Sequence, residues 1–133
     1  MNSTLNVVIV DDSSIIRQWL VALLGKIENV EVTGQAGDVG EAIAMLRARH
    51  PDVVILDIGL PDGNGFDVLQ AMRQEGITSV VMMLTNSVDP QYRQRALQWG
   101  VRYFFDKSSE FQKVRETLRN LAIADIDQGE HPQ

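Results

Sequence analysis

At 133 residues the chain is long enough for one domain with a sizeable core and too short for two ordinary ones. Its 44% apolar and 23% charged residues describe a globular protein, and no apolar run approaches the roughly 20 residues that a membrane helix needs. A net charge of −6 argues against nonspecific nucleic-acid binding by this chain alone, and the lack of cysteine excludes disulfides, thiolate metal sites and Cys nucleophiles.

Nothing in Met1–Asn6 resembles the charged or apolar region of a secretory signal, so the cytoplasm is the expected location. Val7-Val8-Ile9-Val10 is a short apolar run, the mark of a strand covered on both faces. Ile16, Trp19, Leu20, Leu23, Leu24 and Ile27 then recur with helical spacing, which predicts an amphipathic first helix opened by Ser13 or Ser14. Val30–Gln35 reads as a second strand. Asp38-Val39-Gly40-Glu41 has the capping-box pattern for a second helix, with Val39, Ala42, Ile43 and Leu46 inward and an end near His50, ahead of Pro51.

Val53-Val54-Ile55-Leu56 predicts the third strand, and Leu60-Pro61-Asp62-Gly63-Asn64-Gly65 a turn-rich connection to a third helix carrying Phe66, Leu69 and Met72. After Gly76 comes the fourth strand, Val80-Val81-Met82-Met83-Leu84, in which the methionines read as core. Asp89-Pro90 opens a fourth helix that Gly100 closes, with Tyr92, Ala96 and Trp99 in period. Tyr103-Phe104-Phe105-Asp106 forms the fifth strand, and Ser109 with Gln112 suggests a capping box for a last helix presenting Phe111, Val114, Leu118 and Leu121 inward. Helical patterning fades at about Ala122. The expected domain therefore spans residues 5–122, with 123–133 as a polar, acidic tail, a frayed helix end followed by disorder.

Five strands alternating with five helices imply an α/β domain of doubly wound (βα)5 type, with helices on both faces of a parallel sheet. In the order 2-1-3-4-5, ligands bind at the carboxyl ends of the strands, near the switch point between strands 1 and 3. Polar residues stand at those ends: Asp11 and Asp12, Asp57, Thr85 and Lys107. Three carboxylates, a hydroxyl and an ammonium meeting there suit a divalent cation together with an anionic group. Hard oxygen ligands favour Mg²⁺. His50 at a helix end and His131 in the tail have bland readings as surface residues.

In order and spacing, these residues resemble the receiver domains of two-component response regulators, the CheY-like group of flavodoxin-like folds. The likeness runs from Val7-Val8-Ile9-Val10-Asp11-Asp12 through Val54–Gly65 and Leu84-Thr85 to Gly100–Lys107. It implies that Asp57 is the phosphoacceptor, taking a phosphoryl group from a sensor histidine kinase or a histidine phosphotransfer protein. It also implies that Asp11, Asp12, Asp57 and the carbonyl of Gly59 bind Mg²⁺, and that Thr85 and Lys107 contact the phosphoryl group. Phe104 matches the aromatic switch position. The face formed by the fourth helix, fifth strand and fifth helix then meets an output protein, or a second phosphorylated copy in a dimer.

Three positions depart from the family pattern. Ser108 stands where proline usually follows the lysine, so that loop is expected to be built differently. Asn86 is larger than the usual small residue, which narrows access to the site. Gly59 offers no side chain to an attacking water. The reading expects no enzymatic activity beyond self-phosphorylation and self-dephosphorylation. A degenerate receiver acting only as an interaction module is opposed by the intact site. A flavin carrier would want a Ser/Thr/Gly-rich phosphate loop where Asp11 and Asp12 stand. Two arrangements stay open: a stand-alone receiver, which the Thr85-Asn86 and Lys107-Ser108-Ser109-Glu110-Phe111 segments resemble, or the receiver part of a longer DNA-binding or enzymatic regulator.

Overall fold

A computed structural model of the chain describes residues 4–86 and 89–130. Its main sheet holds β1 (Leu5–Val10), β2 (Val30–Ala36), β3 (Val53–Leu56), β4 (Val80–Thr85) and β5 (Tyr103–Asp106). All neighbours pair in parallel, in the order β2-β1-β3-β4-β5. The helices are α1 (Ser14–Leu24), α2 (Val39–Arg49), α3 (Gly65–Gln74), α4 (Pro90–Gln98) and α5 (Phe111–Glu130). Gly59–Leu60 and Gly63–Asn64 add a small antiparallel hairpin between β3 and α3.

Strand alternation divides the core. Val8, Val10, Val54, Leu56 and Met83 face α2, α3 and α4, against Leu46, Leu69, Met72 and Ala96. Val7, Ile9, Val53, Ile55, Met82 and Leu84 face the other way, against Leu20 and Leu24 of α1 and Val114 and Leu118 of α5. The central strands are apolar throughout because both their faces are covered. Each such fully buried aliphatic side chain contributes about 1.5–3 kcal/mol.

Several helix ends differ from expectation. Trp19 does not join the buried stripe of α1: it is 61% exposed beside Ile15 at 60%. Leu20, Leu24 and the half-buried Ile16 and Leu23 fill that stripe, and Trp19 sits one step round the helix on its outer edge. Asp38 caps α2 as expected, by accepting from the Glu41 N–H at 2.7 Å, but Glu41 accepts from Gly37 N–H at 2.8 Å rather than from the cap itself. The α3 start has a full capping box of Asn64 with Asp67. Ser109 does not cap α5. It lies in a turn drawn back onto Asp106, and α5 begins at Phe111. The same helix continues through Glu130, so the helix end expected beyond Ala122 runs as far as that residue. No glycine or proline interrupts the chain between Ala122 and Gly129. His131 lies outside the described residues. His50 closes α2 in the left-handed conformation, φ 46°, exposed to solvent.

Candidate functional site

One residue past their strands, Asp11 and Asp57 continue the sheet's hydrogen bonding: Asp11 N–H donates to Ala36 O and Asp57 N–H to Val10 O, each at 3.0 Å. Their parity follows Ile9 and Ile55, so both side chains start from the α1 and α5 face of the sheet. Both are buried, with exposures of 2% and 7%. Asp11 Oδ1 accepts from Ser13 N–H at 2.9 Å, and Asp57 Oδ1 from Ile58 N–H at 2.7 Å. Asp12 is exposed at the mouth, and carboxylate oxygens of Asp11, Asp12 and Asp57 lie within 4.8 Å of one another.

Across the β4 end, Lys107 brings in the balancing charge. Its Nζ lies 2.5 Å from Asp11 Oδ2 and 2.9 Å from Asp57 Oδ2. Its backbone N–H donates to Thr85 O at 3.0 Å, which sets the root of the side chain on the adjacent strand. Burial disfavours the ammonium, but hydrogen bonds from it to Asp11 and Asp57, with their charges, outweigh that cost and hold its pKa above the lysine range. Burial pushes the Asp11 carboxyl up, and the Lys107 contact and the Ser13 N–H only partly oppose it. Three carboxylates against one ammonium leave a surplus of negative charge. That surplus and the all-oxygen donor set fit a hard divalent cation such as Mg²⁺.

The loop after Asp57 is held from two sides. A Cβ on Gly65 would fall 2.5 Å from Asp57 O, so only glycine lets α3 start this close to the acceptor backbone. Asp62 accepts from Val39 N–H at 2.7 Å and Gly40 N–H at 3.1 Å, tying the loop to the first turn of α2. Gly59 lies on the exposed rim, with open space where a side chain would stand. Sequence reasoning missed Asp62, whose partners lie more than twenty positions away. It also missed Arg17, whose guanidinium donates to the Asp11 carbonyl and steadies the acidic loop from α1.

Thr85 ends β4, 1% exposed, with the parity of Met83 toward the α2, α3 and α4 face. Phe104 pairs with Met83 across the ladder and is half-buried on that face, with the Arg93 guanidinium of α4 4.8 Å above its ring. Asn86 is exposed directly after Thr85. In the loop after Lys107, Ser108 donates to Asp106 Oδ1 from both N–H, at 2.9 Å, and Oγ, at 2.7 Å. Trp99 is half-buried beneath the Arg73 guanidinium, 4.4 Å away. Thus Asp11, Asp57 and Lys107 touch and Asp12 joins their cluster, while Thr85 ends β4, Phe104 lies on β5 and Gly59 on the hairpin.

A five-stranded parallel sheet with an acid cluster and a lysine at its carboxyl edge defines a class of phosphorylation-controlled signalling domains. Residues 7–119 match the model of the response regulator receiver domain, and the chain belongs to that family, the phosphoacceptor module of two-component signalling. It is 47% identical over 115 residues to the DNA-binding transcriptional activator DevR/DosR of Mycobacterium tuberculosis, covering 86% of this chain and 53% of that protein. It is 35% identical over 118 residues to protein-glutamate methylesterase/protein-glutamine glutaminase 1 of Caulobacter vibrioides, covering 88% of this chain and 34% of that one. The chain thus spans between about a third and a half of the length of these relatives. Among solved structures, the signal receiver domain of NarL from Mycobacterium tuberculosis superposes with a TM-score of 0.82 at 28% identity, over 90% of this chain and 97% of that one. The response regulator domain of Thermotoga maritima CheB does so with 0.79 at 26% identity, over 91% and 95%. Receiver domains bind Mg²⁺ at an acidic pocket of this kind, and they act with histidine kinases and output partners.

Proposed function

We propose that Asp57 takes a phosphoryl group from the phosphohistidine of a sensor histidine kinase or a histidine phosphotransfer protein. The acyl phosphate so formed then switches a partner-binding surface. The observation that carries this reading is Lys107 bridging Asp57 and Asp11, with Asp12 completing the acid cluster at the switch point of the sheet. A carboxylate oxygen of Asp57 attacks phosphorus in line, the P–N bond breaks, and the donor imidazole leaves with the electron pair. Lys107 exchanges its bond to Asp57 for one to a phosphoryl oxygen, following the negative charge. The Thr85 hydroxyl donates to another. Asp11, Asp12, Asp57 and the Gly59 carbonyl would hold Mg²⁺. Bound there, the cation neutralises charge on the phosphoryl oxygens.

The domain's own chemistry in this reading is the uptake and loss of one phosphoryl group. Thr85 and Phe104 lie between the acceptor and the α4, β5 and α5 face, where we place the contact with an output protein or a second phosphorylated copy. Among the described residues no helix is long and apolar enough to cross a membrane, which is compatible with action in the cytoplasm. Incubation with acetyl phosphate and Mg²⁺ tests the core of the proposal: one phosphoryl mass is expected, removable by hydroxylamine and absent in Asp57→Asn. Full labelling of Asp57→Asn would overturn it.

A further inference from the structure

The turn that carries Lys107 is locked across that residue. Asp106 Oδ1 receives the Ser108 N–H and Oγ, at 2.9 and 2.7 Å, on the far side of Lys107. On the near side, Asp106 N–H donates to Glu110 Oε1 at 3.0 Å, and its carbonyl accepts from Glu110 N–H at 2.7 Å. Glu110 Oε2 accepts from Lys113 Nζ at 2.7 Å, which carries the lock into the first turn of α5. Together with the bond from Lys107 N–H to Thr85 O, the backbone on both sides of the lysine is fixed.

A lysine reaches its target through four flexible methylenes, so the placing of its backbone decides where the ammonium rests. Here the ammonium must sit between two carboxylates, and displacement of about 1 Å is enough to slow a positioned reaction severalfold or more. Ser108 is exposed, so its hydroxyl fills no core space. What it does is hold Asp106.

We propose that Ser108 and Glu110 are positioning residues for phosphoryl transfer: acting through Asp106, they set the Lys107 ammonium against Asp57, without touching the reacting atoms themselves. The proposal rests on the reading of Asp57 as acceptor and Lys107 as its cation. It separates two properties of the site. Neither residue contacts Asp11, Asp12 or Asp57 among the hydrogen bonds described, so Mg²⁺ affinity should stay constant while the transfer rate falls.

The test uses the full chain and four variants, Ser108→Ala, Ser108→Thr, Glu110→Ala and Glu110→Gln, each checked for a cooperative thermal transition. Phosphorylation by acetyl phosphate at saturating Mg²⁺ is followed by mass spectrometry, and Mg²⁺ affinity by calorimetry. Ser108→Ala and Glu110→Ala should each slow phosphorylation about fivefold, the factor one net hydrogen bond supplies. Ser108→Thr keeps the hydroxyl and Glu110→Gln keeps the acceptor oxygen, so both should fall within about twofold of wild type. Mg²⁺ affinity should hold within about twofold throughout. Should Ser108→Ala fail to fold, the Glu110 pair decides the matter alone. A Ser108→Ala protein phosphorylated at the wild-type rate would overturn the proposal, as would Ser108→Thr being as slow as alanine, or Mg²⁺ affinity falling in step with the rate. A wild type that takes up no phosphoryl group would instead remove the underlying reading of Asp57.

Discussion

Lys107 Nζ donates to Asp57 Oδ2 at 2.9 Å across 50 positions of sequence, and this one bond joins β3 to the loop after β5. Replacing the lysine with methionine keeps most of its bulk but leaves two buried carboxylates facing each other. We expect Lys107→Met to lose about 2–3 kcal/mol of stability in metal-free buffer, near the low end for breaking a buried pair, because the site opens to water at Asp12. Urea unfolding measures it, and Mg²⁺ should recover part of the loss. Because the folded pKa of Lys107 is raised, its contribution is fully present below the ordinary lysine value of 10.5 and fades as pH rises through the raised one.

Asp11 behaves in the opposite sense. Burial raises its pKa above the ordinary 3.8, so the folded protein binds that proton more tightly than the unfolded chain. Ionised Asp11 therefore subtracts stability from the metal-free protein as pH rises from 3.8 through the raised value. Asp11→Asn should therefore raise the thermal midpoint in EDTA. In the same variant, the rise that millimolar Mg²⁺ gives the wild type, about 2.7 kcal/mol at 100 times Kd, should largely vanish. An unchanged Mg²⁺ response would contradict the ligand role.

Asp62 has a lowered pKa, first because Val39 N–H donates to its carboxylate, with Gly40 N–H adding to the effect. Its stabilisation is present above 3.8 and lost as pH falls through the lowered folded value. Asp62→Ala should lower the thermal midpoint at pH 7, and the gap from wild type should close as the pH drops below that range. Hydrogen exchange should locate the loosening at Val39 and Gly40, whose N–H groups lose their acceptor.

Thr85→Ala should permit phosphorylation of Asp57 yet weaken its transmission to β5. Chemical-shift differences between the free protein and its beryllofluoride complex should concentrate in residues roughly 86–107 in the wild type and shrink in the variant. Phe104 supplies a local reporter, since any turn of its ring breaks the stacking of Arg93, 4.8 Å above it. A full wild-type response in Thr85→Ala would mean that the hydroxyl is not the trigger.

Much of this was legible in the sequence because runs such as Val7–Val10 and Val53–Leu56 can only be doubly covered strands, and the polar residue closing each run then has one place to go. Asp11, Asp57, Thr85 and Lys107 were found that way. Trp19 was misplaced because apolar spacing marks a stripe without fixing its edges, and a wide ring at the edge can remain in solvent. Ser109 was mistaken for a cap because the competing acceptor, Asp106, lies on the preceding strand and draws Ser108 and Ser109 into a turn. Asp62 left no local trace at all. Its role depends on two loops meeting at one end of the sheet, and a pattern search along the chain reads only neighbours.

Four helix starts at this end of the molecule carry side-chain caps. Ser13 takes an N–H of α1, Asp38 and Asp62 take three of α2, Asn64 takes two of α3, and Asp89 takes one of α4. Many phosphate-binding folds lend an incoming anion such free backbone donors and the positive pole of a helix. Here side chains of the chain itself take up part of those donors. On the proposed reading, a phosphoryl group arriving here would be met by side chains and a cation, which can exchange partners as charge appears and leaves. Backbone donors fixed at a helix end would hold the anion in place, whereas in the proposed mechanism Lys107 and Thr85 move with it and so leave a mark on the surface beyond.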